Sequence, residues 1–103
     1  MAVVAINEVK GDPKELLVRY DKVNAKLMEH PEVPPGLLVH TCVELDDGIR
    51  IANVWESRQQ ALDAFNGEGF QSALRGAGFK ATEPTIYRVH NHINYAVSQG
   101  GVR

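Results

Sequence analysis

Apolar residues recur along this chain at two different spacings, and the switches between them mark out its elements. Ala2-Val3-Val4-Ala5-Ile6, followed by Asn7-Glu8, reads as a buried first strand over 2–9, and Gly11-Asp12-Pro13 stops it. Leu16, Leu17, Tyr20, Val23, Leu27 and Met28 then recur at helical spacing, with Lys14, Arg19, Lys22 and Lys26 off the stripe. Asp12 can accept from first-turn N–H groups, Pro13 suits the first helical position, and Glu15 completes a capping-box-like spacing. Prolines and a glycine between Glu29 and Gly36 end this helix near His30.

Leu37–Leu45 and Ile49–Trp55 read as the second and third strands, joined by Asp46-Asp47-Gly48. That link has the form of a three-residue hairpin loop with glycine in the left-handed position. The resulting register sets Leu45 opposite Ile49, Val43 opposite Ile51, Thr41 opposite Asn53 and Val39 opposite Trp55. The other face then carries Leu38, His40, Cys42, Ala52 and Val54, with Glu44 across from Arg50 as an ion pair. Both faces are apolar, so both need cover: the chain's own helices on one side and a second protomer on the other.

Ser57 with Gln60 three residues on predicts a second capped helix, broken or bent at Asn66-Gly67-Glu68-Gly69 and ended by Gly76-Ala77-Gly78. Thr85–Val97 reads as a long last strand with Tyr87, Val89, Ile93, Tyr95 and Val97 on one side and Arg88, His90 and His92 on the other. The order strand-helix-strand-strand-helix-strand is the ferredoxin-like α+β arrangement. It gives one domain over 1–97 and a loose tail over 98–103.

Composition narrows the function classes. A chain of 103 residues suits a single modest core, and a formal net charge of -2 leaves no positive excess to hold nucleic acid. The single cysteine, Cys42, cannot form an internal disulfide, which fits a reducing cytoplasm. No apolar run approaches membrane-spanning length. A soluble, cytoplasmic protein is expected.

Several residues could carry chemistry, and each has a plainer reading. Trp55 is either a cavity wall or a core plug at the hinge between strand and helix. Asn53, paired with Thr41 amid Val39, Val43 and Ile51, either orients a substrate in an apolar pocket or satisfies its neighbour. Asn7 either stabilises an oxyanion or caps a turn before Gly11. His90 and His92 share a strand face, but no third ligand accompanies them unless His40 is added, so a solvated or contact face is expected and no metal. Cys42 has no basic neighbour to activate it.

Trp55-Glu56-Ser57, then Ala61-Leu62, Ala64-Phe65 and Phe70, resembles the W-E-S…A-L…A-H…F signature of antibiotic-biosynthesis-monooxygenase-like proteins. Pro35-Gly36-Leu37 and Asn7 match further features of that family. The resemblance implies ferredoxin-like protomers paired sheet to sheet into a dimeric α+β barrel. It also implies cofactor-independent oxygenation of phenolic or quinol-type substrates, in which an ionised substrate reacts directly with oxygen. Asn7, Asn53 and Trp55 would then carry the chemistry, and Val39, Thr41, Ile51 and Phe65 would line the pocket. Ile51 replaces a residue that is sometimes polar in the family, and Phe65 replaces its helix histidine. The related haem-degrading group needs an iron-ligating histidine where this chain has Ala73 or Leu74, and a tryptophan near Ala64, so haem is not expected. A non-catalytic barrel dimer is the alternative to the enzyme.

Overall fold

A computed structural model describes residues 1–29, 32–80 and 82–93. Four strands, β1 (Val3–Lys10), β2 (Leu37–Leu45), β3 (Gly48–Trp55) and β4 (Thr85–Arg88), form one antiparallel sheet in the order β2-β3-β1-β4. Helices α1 (Pro13–Met28), α2 (Arg58–Phe65) and α3 (Glu68–Gly76) complete the α+β ferredoxin-like arrangement. The helix starts follow from the sequence: an Asp12 side-chain oxygen accepts from Lys14 N–H, and Ser57 Oγ accepts from Gln60 N–H. The predicted break at Asn66-Gly67 separates α2 from α3, with Asn66 closing one helix and Gly67 opening the next.

The core lies on one face of the sheet. Val3, Ala5, Trp55 and Ala61 form a buried cluster, against which Leu37, Ala64 and Ile86 pack. Leu16, Val23, Ile49 and Ala73 are also buried. The residues alternating with them on β1 and β3 point to the opposite, open face.

The β2–β3 hairpin departs from the expected register. Leu45 pairs with Gly48, Glu44 with Ile49, Val43 with Arg50, Cys42 with Ile51, Thr41 with Ala52 and His40 with Asn53. The loop is therefore Asp46-Asp47 alone, and Gly48 belongs to the strand without a left-handed backbone. The physical cause is β1. A Cβ on Gly48 would lie 2.0 Å from the carbonyl oxygen of Val9, so only glycine fits where β1 passes. The turn is also tied to the end of β1: Gly11 N–H donates to the Asp47 carbonyl at 2.9 Å, and Lys10 Nζ meets Asp47 Oδ2 at 2.9 Å.

A one-residue slip exchanges every side chain between faces. Val39 and Thr41 consequently sit on the open face with Val54 and Ala52, whereas His40 and Cys42 join Asn53 and Ile51 under the helices. Glu44 does not meet Arg50; Glu8 does, with Arg50 Nη2 at 2.6 Å from its carboxylate. Further along β2, an irregularity between Leu37 and Val39 lets Leu37 pair with Trp55. Leu37 thereby reaches the core while Leu38 stays exposed.

The last strand is also shorter than expected. It ends at Arg88, after which Val89 N–H donates once more to Ala2 O at 2.9 Å. His90, His92 and Ile93 lie beyond the strand and are exposed. Tyr95, Val97 and the expected tail over 98–103 lie outside the described residues. Among the described residues, no helix is long and apolar enough to cross a membrane.

Candidate functional site

Polar side chains on the helix-covered face gather at one place, between α1 and the β2 edge. β3 carries Asn53, and the observed register sets His40 of β2 directly across from it. His40 Nδ1 lies 2.7 Å from Asn53 Oδ1. The other ring nitrogen, Nε2, is hydrogen-bonded to the Tyr20 hydroxyl, which reaches down from α1. The tyrosine and imidazole planes are 6° apart with centroids separated by 5.9 Å, so the two rings lie nearly parallel.

The donors and acceptors in this chain can be assigned. An amide oxygen has only lone pairs, so the proton between His40 and Asn53 sits on Nδ1. In the neutral ring Nε2 is then bare, and it accepts from the Tyr20 O–H. His40 and its neighbours are accessible at the sheet edge: His40 is exposed, and Tyr20, Cys42 and Asn53 are half-buried. Burial pushes the Tyr20 phenol above its ordinary pKa, with Cys42 and Asp21 adding to the effect, so the hydroxyl keeps its proton. Burial, then Asp21, likewise raises the Cys42 thiol, which disfavours the thiolate a nucleophile needs.

The remaining candidates divide between the faces. Asn7 pairs with Ile51 and is a diagonal neighbour of Asn53 on the helix-covered face. Its Nδ2 donates to the Thr82 carbonyl at 2.8 Å, so this amide anchors the loop ahead of β4 and does not cap a turn before Gly11. Trp55 is buried to 5% exposure and clusters with Val3, Ala5 and Ala61. Phe65 ends α2 half-buried, with its ring 6.1 Å from that of Phe70 and tilted by 58°. Val39 and Thr41 leave the site altogether; Thr41 Oγ1 donates to its cross-strand neighbour Ala52 at 2.8 Å on the open face.

Asn7, Ile51, Asn53 and Trp55 are thus brought to one face, and Val39 and Thr41 to the other. Tyr20 and His40 are the residues the sequence reading missed. Reading Asp46-Asp47 as a two-residue turn would have placed His40 across from Asn53.

The fold is shared with solved structures. SnoaB, a cofactor-independent oxygenase from Streptomyces nogalater, superposes with a TM-score of 0.61 at 20% identity, over 89% of this chain and 96% of its own. Rv0793 from Mycobacterium tuberculosis matches with a TM-score of 0.65 at 12% identity, over 91% of this chain and 100% of its own. A candidate antibiotic biosynthesis monooxygenase from Nitrosomonas europaea gives 0.65 at 10% identity, over 86% of this chain and 90% of its own.

The fold is that of the antibiotic biosynthesis monooxygenases.

No protein-family model matches the chain, and no curated protein sequence does. Within this monooxygenase-like fold, two further features lie away from the Asn53 site. An open groove of about 330 Å³, lined by Ile6, Glu8, Arg50, Thr85 and Tyr87, crosses the uncovered face and contains the Glu8–Arg50 ion pair. His90 stands near β4, the opposite sheet edge from β2, so it shares no site with His40. Among the described residues, no three histidine, cysteine or acidic side chains group as a metal site would require.

Proposed function

We propose that this protein is a cofactor-independent, monooxygenase-like enzyme acting on a small phenolic or quinol-type substrate, and that it works as a homodimer. The observation that carries this reading is the His40–Asn53 pair, held accessibly on the helix-covered face of a fold shared with SnoaB. Oxygen reacts slowly with neutral phenols. An enzyme without a cofactor must therefore make its substrate electron-rich, and removing a proton does that. An imidazole nitrogen that carries no proton can act as the base that takes the substrate's. The Asn53 amide accepts from His40 through its oxygen and can present its N–H₂ to the developing oxyanion.

The chemistry balances without an external reductant. A substrate in its anthrone form carries a methylene whose first proton goes to the base, leaving a delocalised anion. That anion passes one electron to oxygen, the resulting radical pair combines to form a carbon–oxygen bond, and the peroxide anion takes back the proton held by the base to give the hydroperoxide. Loss of water from the hydroperoxide, which takes the second methylene hydrogen, breaks the oxygen–oxygen bond. One oxygen atom remains as the product carbonyl and the other leaves as water.

Oxygen uptake by the purified protein with a panel of anthrones and quinols, without added metal or reductant, is the direct test. We expect uptake with at least one of them, and a drop of about 10²–10⁴-fold for His40→Gln, the usual contribution of a positioned acid or base. A panel that gives no protein-dependent uptake sinks the proposal.

The burial of Trp55 favours a second reading, in which the barrel survives as a non-catalytic binding dimer. Saturable binding of the same anthrones without oxygen uptake would identify it. Both readings need the dimer, which is supported by the uncovered sheet face: Val4, Ile6, Val39, Val43 and Val54 all lie there beside the exposed Tyr87.

A further inference from the structure

Tyr20 places a phenol on the one nitrogen of His40 that can act as a base. Its hydroxyl is hydrogen-bonded to Nε2, while Asn53 Oδ1 holds the proton on Nδ1 from the other side, at 2.7 Å. The three residues come from three separate elements, α1, β2 and β3, and meet at an exposed imidazole. Any incoming phenol that is to lose its proton to His40 must occupy the position the Tyr20 hydroxyl already fills. Resting on the phenol-type site proposed above, we infer that Tyr20 is a built-in substrate surrogate: it caps His40 Nε2 in the free protein and is displaced when an external phenol binds.

The chemistry of the exchange is simple. Tyr20 keeps its proton, because burial, Cys42 and Asp21 all disfavour its phenolate, so it caps the base without consuming it. The groups that bear on this phenol are Cys42 on β2 and Asp21 on α1, and both lean the same way. An external phenol of greater acidity exchanges one O–H···N hydrogen bond for another and then transfers its proton to Nε2. The imidazolium so formed donates from Nδ1 to Asn53 Oδ1, a hydrogen bond already in place. The site would thereby select phenols more acidic than tyrosine and reject those that are not. A cap of this kind also keeps Nε2 from other donors when no substrate is present.

The probe is 4-nitrophenol, whose ionised form alone is yellow, titrated into the protein with the visible spectrum recorded against pH. The wild-type protein should bind it and ionise it, so the yellow form appears at lower pH than for free 4-nitrophenol. His40→Gln should abolish that displacement. Tyr20→Phe, which keeps the ring and removes only the competing hydroxyl, should bind the probe about tenfold tighter with the displacement retained, the factor one modest hydrogen bond provides. Equal displacement in wild type and His40→Gln would overturn the inference. So would weaker binding by Tyr20→Phe, or an absence of binding by the wild type. Oxygen uptake on anthrones reads separately. Ionisation without uptake removes the oxygenase and leaves the cap, whereas uptake indifferent to His40 and Tyr20 removes the cap and leaves the oxygenase.

Discussion

Asn53 and Trp55 lie two residues apart on one strand and have opposite surroundings. Asn53 is half-buried beside an exposed imidazole, and Trp55 is almost wholly enclosed by Val3, Ala5 and Ala61. Their substitutions should separate accordingly. Trp55→Ala removes a buried aromatic from the main cluster and should cost about 3–5 kcal/mol of stability, read as a lowered urea midpoint. Asn53→Ala should cost only about 0.5–1.5 kcal/mol, one hydrogen bond at a half-buried site, and its larger effect should fall on oxygen uptake. A mild Trp55→Ala would mean that the indole lines a cavity after all. At this scale the sequence displayed the residue types and withheld their partners. Asn53 stood out as a polar residue in an apolar strand, but its neighbour depended on a register that Asp46-Asp47-Gly48 leaves open. Gly48 looked like a turn residue because glycine serves turns and close contacts alike, and only the Val9 carbonyl, from a distant strand, tells the two apart.

Elements were more legible than partners, because their signals are local. Ser57 and Asp12 cap their helices as their spacing suggests, and Ser57→Ala should cost about 0.5–2 kcal/mol through the lost Gln60 N–H bond, measured by thermal or urea unfolding. The Asp46-Asp47 turn carries a pH dependence whose sign can be worked out. The side-chain hydrogen bond from Lys10, and then its charge, hold the Asp47 carboxyl below the usual carboxylate range. A carboxyl lowered in the folded chain contributes stability that is present above its unfolded pKa and is lost as pH falls through the folded value. Lys10→Met should therefore flatten the acid limb of a stability-against-pH curve. Because the pair is fully exposed, the difference between the proteins should shrink in about 1 M salt. Between Val89 and Ile93 the apolar alternation continues past the end of β4 at Arg88, because alternation alone does not supply a pairing strand.

At the scale of the whole molecule, the sheet separates two tasks. One face holds the core and the His40 site, and the other is an uncovered apolar surface proposed to meet a second copy. Val43, 43% exposed on that second face, is the place to test the pairing. Val43→Lys should shift the protein from dimer to monomer in sedimentation at micromolar concentration, with little change in the helical circular dichroism signal. A protein that sediments as a monomer before any substitution would refute the pairing. The two-sided apolar pattern of the hairpin was readable in the sequence, although the residues assigned to each side of β2 were exchanged.

The irregularity at Leu38 has a consequence for how this chain can change length. Leu37 and His40 are three positions apart, an odd separation, and a regular strand would send them to opposite faces; here both point toward the helices. Leu38 is the surplus residue that reconciles them. Removing it should leave Leu37, Val39 and His40 on their present sides, in a straighter ladder. Removing Thr41 instead would turn His40 outward to the open face. Of two single-residue deletions in the same strand, the first should keep the 4-nitrophenol response and the second should lose it, so β2 carries one point at which evolution can alter its length without rebuilding the site.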